Sequence, residues 1–232
     1  MSWNEEYNRL NKPWGEQPSE LAVIAADYLK KNRLDTVKHT VLDIGCGYGR
    51  DTLYLRGRLG LAVRGIASAP KAIELADSAR DAAQYSNVNF SCADFLKIKA
   101  ERYDILYASN VYQLLEPEDR KIFREKVKKM LKANGLFFLS AHSSNDPQHR
   151  GTGTPHSTEP NTICDGKYLH LCTGEELRKD FGFLDIKVLK EHEYMEPRAD
   201  GTTHHHISWI LIGQRPSPVR REREIFFKAI TP

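Results

Sequence analysis

No stretch of this 232-residue chain approaches the ~18 consecutive apolar residues of a membrane-crossing helix. The first residues, Met1-Ser2-Trp3-Asn4-Glu5-Glu6-Tyr7, carry neither the basic start nor the apolar stretch of a secretory signal. Cysteine is scarce: Cys46, Cys92, Cys164 and Cys172 form no Cys-x-x-Cys pair, which removes the usual zinc and redox spacings. An excess of one charge is missing too. Thirty-four Lys and Arg against 31 Asp and Glu leave a formal +3, too little to argue for a polyanionic partner. These absences predict a reduced, cytoplasmic protein with no membrane or nucleic-acid partner. What is present is ordinary for a globular chain. Hydrophobic residues make up 40% and charged residues 28%, which excludes wholesale disorder, and the length suits one large domain with a modest appendage.

Apolar periodicity alternates between two kinds of segment. Short β-rich runs fall at Thr40–Ile44, Leu61–Ile66, Val88–Ser91, Tyr103–Tyr107, Leu136–Ala141, Leu184–Leu189 and Ile207–Ile212. Between them Leu21, Ile24 and Tyr28, and later Phe123, Val127, Met130 and Leu131, recur at helical spacing. Pro117 ahead of Glu118 and Asp119 suits a first helical turn, and Thr173-Gly174-Glu175-Glu176 reads as a capping box. Strands alternating with helices predict βαβ units and an α/β fold with a mostly parallel sheet covered on both faces. From about Leu184 two strands follow without a helix between them, which predicts an antiparallel pair closing the sheet. Residues 143–168, rich in Gly, Pro, Thr, Asn and His, show no period; a loop that long in a compact domain reads as a lid-like insertion. We therefore take 1–215 as one domain, with 1–39 as an amino-terminal cover and helix, and 216–232 as a tail carrying Arg220-Arg221-Glu222-Arg223-Glu224.

The most informative segment is Val41-Leu42-Asp43-Ile44-Gly45-Cys46-Gly47-Tyr48-Gly49-Arg50-Asp51. An apolar strand runs into three glycines at alternate positions, and a helix follows. Glycine permits positive φ and removes Cβ, so backbone can approach a ligand at the strand's carboxyl end, where open α/β sheets bind their ligands. Arg50 stands where a dinucleotide fingerprint has its third glycine, and the Gly-Lys-Ser/Thr of a P-loop is absent. An acid two residues before the first glycine points instead to S-adenosylmethionine, Asp43 organising the loop and facing the ligand's ammonium group. A glycine-rich turn without a ligand and a nucleotide-dependent oxidoreductase are the rival readings of this segment alone.

The chain here resembles the class I S-adenosylmethionine-dependent methyltransferases, most closely the tellurite-resistance-like branch. The residues that carry the resemblance are Val41–Asp51, Ala93-Asp94-Phe95, Tyr103-Asp104-Ile105-Leu106-Tyr107 and Lys132-Ala133-Asn134-Gly135-Leu136. The branch is suggested by Glu159-Pro160-Asn161-Thr162, Gly166-Lys167-Tyr168-Leu169-His170, Thr173–Leu177 and a histidine-containing strand with Trp209. The resemblance implies a Rossmann-like, doubly wound sheet of seven strands with the last antiparallel, and methyl transfer that leaves S-adenosylhomocysteine. Position by position it implies that Asp43, Gly45, Cys46, Gly47 and Gly49 line the methionine and ribose portion. Asp94 and Phe95 would meet adenine, Ser109 and Asn110 would border the sulfonium, and Trp14 would belong to a cover over the cofactor.

One position departs from that family. Where an acid usually ends the second strand and accepts the ribose hydroxyls, this chain has Ala67, followed by Ser68. A carboxylate–diol pair is charge-assisted, so its loss predicts weaker cofactor binding unless Ser68 or a lid residue substitutes. It also leaves a non-catalytic, cofactor-binding protein as the alternative to an enzyme.

Methyl transfer asks the protein for orientation, a dry site and, for oxygen or nitrogen acceptors, a base. The candidates near the strand ends are His142, Tyr112, whose ring would contact the sulfonium, and His170. His204-His205-His206 invites a metal, yet alternation places only His204 and His206 on one face, short of the ligands a zinc site needs. We therefore expect no metal and read those histidines as lining on the substrate side. The expected partner is a small-molecule acceptor, which is a thiol, chalcogen oxyanion, amine or phenol; a homodimer is compatible with the sequence.

Overall fold

A computed structural model describes residues 2–35, 38–164, 166–198 and 200–217. Two short helices come first, α1 (Trp3–Leu10) and α2 (Glu20–Lys31), each started by a serine, Ser2 or Ser19, whose hydroxyl accepts a backbone N–H. Then β1 (Thr40–Ile44), α3 (Arg50–Leu59), β2 (Ala62–Ala67), α4 (Pro70–Ala82) and β3 (Val88–Cys92) wind one half of the sheet. The other half begins with β4 (Tyr103–Ser109), a 3-10 turn (Tyr112–Leu114), α5 (Pro117–Met130) and β5 (Leu131–His142). Pro117 sits in the first turn of α5, and Phe123, Val127 and Met130 form its buried stripe.

The main sheet runs β3-β2-β1-β4-β5-β9-β8, completed by β8 (Asp185–Pro197) and β9 (Thr203–Gln214). Strands β1 to β5 pair in parallel, whereas β9 is antiparallel to β5 and to β8. The expected seven-stranded α/β sheet with an antiparallel last strand is therefore present. Its order reverses between β1 and β4, the switch point at which such sheets hold ligands. Buried residues pack in two large groups. Leu21, Leu55 and Leu59 cover one face, and Phe123, Leu177 and Phe181 cover the other.

Three elements depart from the expected pattern. The last two strands are 13 and 12 residues long and form a hairpin, pairing from Asp185↔Gln214 to Pro197↔Thr203, so His204–His206 lie within β9 rather than before it. The aperiodic segment contains a small hairpin of β6 (Thr162–Cys164) and β7 (Tyr168–His170), too short to leave a periodic signature. Thr173 does cap α6 (Gly174–Asp180), accepting from the Glu176 N–H. The Glu176 carboxylate is engaged by His170 Nε2 at 2.9 Å. Among the described residues no helix is long and apolar enough to cross a membrane. The charged tail at 220–224 lies outside the described residues.

Candidate active site

A cavity of about 580 Å³ opens across the carboxyl ends of β1, β2, β4 and β5. At one end is the glycine loop. Gly45 and Gly47 have φ of 74° and 54°, and a Cβ on Gly45 would overlap the Val111 side chain, while one on Gly47 would come within 2.7 Å of the Tyr7 hydroxyl. The loop is therefore a cradle that only bare backbone fits. Its first amides do not face a ligand, because Gly45 and Cys46 both donate to the Ile66 carbonyl at 2.8 and 2.9 Å and so lock the loop to β2.

Asp43, next to last in β1, is buried and accepts the Thr52 hydroxyl at 2.5 Å. Burial, with Asp51 nearby, pushes its carboxyl up to about 8. Asp51 is held by the Ser19 N–H and hydroxyl and by the Tyr107 hydroxyl, at 2.7, 2.6 and 2.8 Å. Among the described residues the first of these two acids has no cationic partner, and it lines the cavity, which suits an ammonium group.

Cys46, Ala67, Ser68, Asp94, Phe95, Ser109, Asn110 and Trp14 also line the cavity. Ala67 packs beside Cys46 and Ile73, with no carboxylate at the end of β2, and Ser68 is the nearest exposed hydroxyl in sequence. The Leu96 N–H orients Asp94 at 2.9 Å. Asn110 takes φ 54° just past β4 and shares a hydrogen-bond network with Ser140, to which Ser109 also belongs. Gly49 is a correction. It is the amino-terminal cap of α3 at φ 82°, where a Cβ would strike Phe90 and Ala76, and it does not line the cavity; its smallness serves helix-to-sheet packing.

The amino-terminal segment brings Trp3, Glu6, Tyr7 and Trp14 to the cavity wall. Trp14 stacks on Tyr48 with centroids 6.2 Å apart and planes 7° apart, and Tyr7 meets both rings edge-on. Arg50, in place of the dinucleotide glycine, donates to the Trp14 carbonyl at 2.7 Å and pairs with Glu196 of the β8–β9 hairpin at 3.3 Å. From the other side the insertion reaches over the cavity. Lys167 pairs with Glu6 of α1 and lies 3.4 Å above the Trp3 ring.

The far end of the cavity is rich in histidine. His142 ends β5 opposite Ser208 in the β5–β9 register, and its Nδ1 lies 3.1 Å from the Ser208 hydroxyl. His206 on β9 stacks on His142 at 4.7 Å, and His149 of the insertion closes a triangle at 5.1 and 5.6 Å. The buried Asp146 accepts from His206 Nδ1 at 3.0 Å and from the Ile207 N–H at 2.9 Å. Burial opposes ionisation of Asp146, but these donors hold its carboxyl below the usual range. Burial, reinforced by the neighbouring His206, drives His142 down to about 3, and burial also lowers His149. His142 and His149 are thus neutral imidazoles at physiological pH. Alternation along β9 behaves as expected, with His204 and His206 lining the cavity and His205 turned to Glu193.

Two predicted catalytic residues are not at this site. The 3-10 turn sends Tyr112 into the core between Phe123 and Phe181, its hydroxyl donating to Asp180 at 2.6 Å, and sends Gln113 into the cavity instead. His170 spends both ring nitrogens on structure, with Nδ1 at Thr162 and Nε2 at Glu176, in a network completed by Arg120, Glu159 and Tyr168. Neither lines the cavity. His149, Asp146, Glu196 and Arg198 had no local signal: each sits in an aperiodic or amphipathic stretch, and only long-range pairing brings them here.

Sheet order, switch-point cavity and bare-backbone loop define the class as a Rossmann-like methyltransferase fold. The chain belongs to the methyltransferase-domain family, whose profile matches residues 35–194, and S-adenosylmethionine is its cofactor. It is 30% identical over 127 residues to the carboxy-S-adenosyl-L-methionine synthase of Mannheimia succiniciproducens, and the match takes in 53% of each chain. The chain thus spans about half the length of that curated relative. Among solved structures it is similar to one described for conversion of a disulfide bond into a thioacetal group during echinomycin biosynthesis. That likeness has a TM-score of 0.71 and 20% identity, over 99% of this chain and 98% of that one. It is also similar to TehB from Haemophilus influenzae, with TM-score 0.62 and 18% identity, over 84% of this chain and 61% of that one.

Proposed function

We propose that this protein transfers a methyl group from S-adenosylmethionine to a small molecule held at the histidine end of the cavity. The observation that carries this reading is the continuity of one covered cavity from the glycine loop to neutral, buried imidazoles. A protein that only stored the cofactor would have no use for that second end.

When bound, the cofactor supplies a methyl group already activated by a sulfonium. Gly45, Cys46 and Gly47 shape the seat for its methionine part, and the ionised form of Asp43 faces the ammonium group. Asp94 and Phe95 take the adenine end, and Ser68 with neighbouring backbone serves the ribose that a carboxylate usually holds. Ser109, Asn110 and Gln113 border the acceptor's entry. The Trp14–Tyr48 stack and the Lys167 contact exclude water, which favours an in-line displacement. His206 keeps a lone pair on Nε2, because its Nδ1–H is committed to the Asp146 carboxylate. That lone pair accepts the acceptor's proton or orients its anion.

A place in the tellurite-resistance-like branch fits the lid's foundation, where Glu159, Thr162, Tyr168, His170 and Glu176 of the motif segments bond to one another. The acceptor classes remain a thiol, a chalcogen oxyanion, an amine or a phenol. Calorimetry with S-adenosylhomocysteine, followed by a labelled-methyl panel over those four classes, tests the reading. Micromolar binding and turnover of one class are expected. Binding without turnover of any class would leave only the cofactor assignment, and no binding at millimolar ligand would refute both.

A further inference from the structure

The histidine end has more ligand chemistry than one proton transfer requires. Each of His142, His149 and His206 offers a ring nitrogen, and these atoms all lie within 4.8 Å of one another. They come from β5, the insertion and β9, and no hydrogen bond joins any two of them. Ring nitrogens gathered this closely from three separate elements can converge on one shared positive centre.

Their outer faces are arranged for the same end. His206 donates Nδ1–H to Asp146, which leaves Nε2 as the lone-pair nitrogen, and His142 Nδ1 is held by Ser208. A carboxylate or hydroxyl on the second ring nitrogen is how metal-bound histidines are commonly oriented and made more basic. Asp146 also lies 3.8 Å from His142 Nδ1, so one buried anion serves two of the three rings. The His149 ring has no hydrogen-bond partner among the described residues, though its backbone N–H is fixed to Asp146 at 3.0 Å. It is the third arm of the set, carried by the insertion rather than by a strand.

We propose that His142, His149 and His206 form a three-histidine site for a divalent first-row transition metal, with its remaining position open to the cavity. Three imidazoles with no thiolate suit zinc, iron(II), cobalt(II) or nickel(II) rather than calcium or magnesium. Nitrogens at ~2.0–2.1 Å from a tetrahedral ion lie about 3.4 Å apart, so the trio, already within 4.8 Å, has only a short contraction to make on binding. Glu196 is not the fourth ligand. Its carboxylate is 3.8 Å from His206 Nε2 but is already held by Arg50 and Arg198. The open position therefore belongs to water or to the deprotonated oxygen, nitrogen or sulfur of the acceptor. The site lies in the cavity assigned above to methyl transfer and deepens that reading, but its test does not depend on turnover.

The test uses untagged, chelator-treated protein titrated with cobalt(II), read by visible absorption, alongside calorimetry with S-adenosylhomocysteine on the same samples. The expected result is one equivalent of cobalt with the intense bands of a four- or five-coordinate ion, displaced by zinc. His149→Ala, in the arm that supports no strand, should weaken cobalt binding by at least tenfold and leave S-adenosylhomocysteine affinity within twofold. His205→Ala, on the opposite strand face, should leave both unchanged. Absence of the bands in wild-type protein that binds S-adenosylhomocysteine overturns the metal site and leaves the methyltransferase reading standing. Equal cobalt binding in His149→Ala, or a loss in His205→Ala, overturns it as well by placing the ion elsewhere. Cobalt binding without methyl transfer to any acceptor keeps the site and counts against the reaction.

Discussion

The two ends of the cavity are built in opposite ways. At the glycine end Asp43, Gly45, Cys46 and Gly47 come from one short stretch of chain, and backbone conformation does the shaping. At the histidine end His142, His149 and His206 come from a strand end, an insertion and a returning strand, and side-chain chemistry does the shaping. The first is a generic seat that the whole fold family needs for one cofactor. The second is assembled by tertiary structure, from three elements distant in sequence. If that division is real, changes at one end should leave the other end's measurement untouched.

The largest separation is expected from His206→Ala. It removes the lone pair anchored by Asp146 and leaves a buried acid without its imidazole donor. Turnover of whichever acceptor the methyl panel identifies should fall by about 10²–10⁴-fold, while S-adenosylhomocysteine affinity stays within twofold. Equal losses in both would show that the two ends are one energetic unit.

Asp43→Asn probes the opposite end. The amide can still accept from Thr52 but cannot become an anion, so S-adenosylhomocysteine affinity should fall by about tenfold or more. Stability should move the other way, with a defined pH dependence. The folded protein keeps the Asp43 proton up to about 8, whereas the unfolded chain sheds it near the ordinary aspartate value. That contribution is intact below the unfolded value and is lost as pH rises through the folded one. The variant should therefore match wild type near pH 4 and exceed it by up to about 5 kcal/mol at pH 8. Denaturant melts at the two pH values measure this, and a difference independent of pH would mean that Asp43 does not titrate in that window.

Ala67→Asp sharpens the comparison by adding what the glycine end lacks. A carboxylate at the close of β2 would accept from ribose hydroxyls, and S-adenosylhomocysteine should bind about three- to tenfold tighter after the cost of seating a charge beside Cys46 and Ile73. No gain would mean that Ser68 or backbone already saturates the ribose.

This asymmetry also explains what the sequence could disclose. Asp43 through Gly47 were legible because positive φ and close approach demand particular residues locally, and the strands were legible because both faces of a buried sheet require apolar runs. Gly49 was misassigned because spacing alone cannot separate a ligand contact from a helix cap packed on Phe90. Tyr112 was misassigned because a one-residue change of phase in a 3-10 turn exchanges it with Gln113. The histidine set was hidden for a different reason. His149 is one polar residue in an aperiodic insertion, and its nearness to His206 depends on the β5–β9 register, which pairs His142 with Ser208.

The smallest expected effect is at the contact that joins the two ends. Lys167 of the insertion pairs with Glu6 and covers Trp3, so it ties the lid over the histidines to the aromatic cover over the glycine loop. Both side chains are partly exposed, 28% and 14%, so the pair is partly screened; ion pair and cation–π contact together contribute about 0.5–1 kcal/mol. Lys167→Met keeps the apolar stem over the indole and removes the charge. Release of S-adenosylhomocysteine should then speed up by about two- to fivefold, measured by stopped-flow displacement, with little change in the melting temperature. Glu6→Gln, which leaves the contact with Trp3 in place, should give a smaller acceleration, and the double variant should add nothing beyond Lys167→Met, because both substitutions open one latch. Additive effects would mean that lid and cover close independently, and the two ends would then be separate chambers rather than one covered cavity.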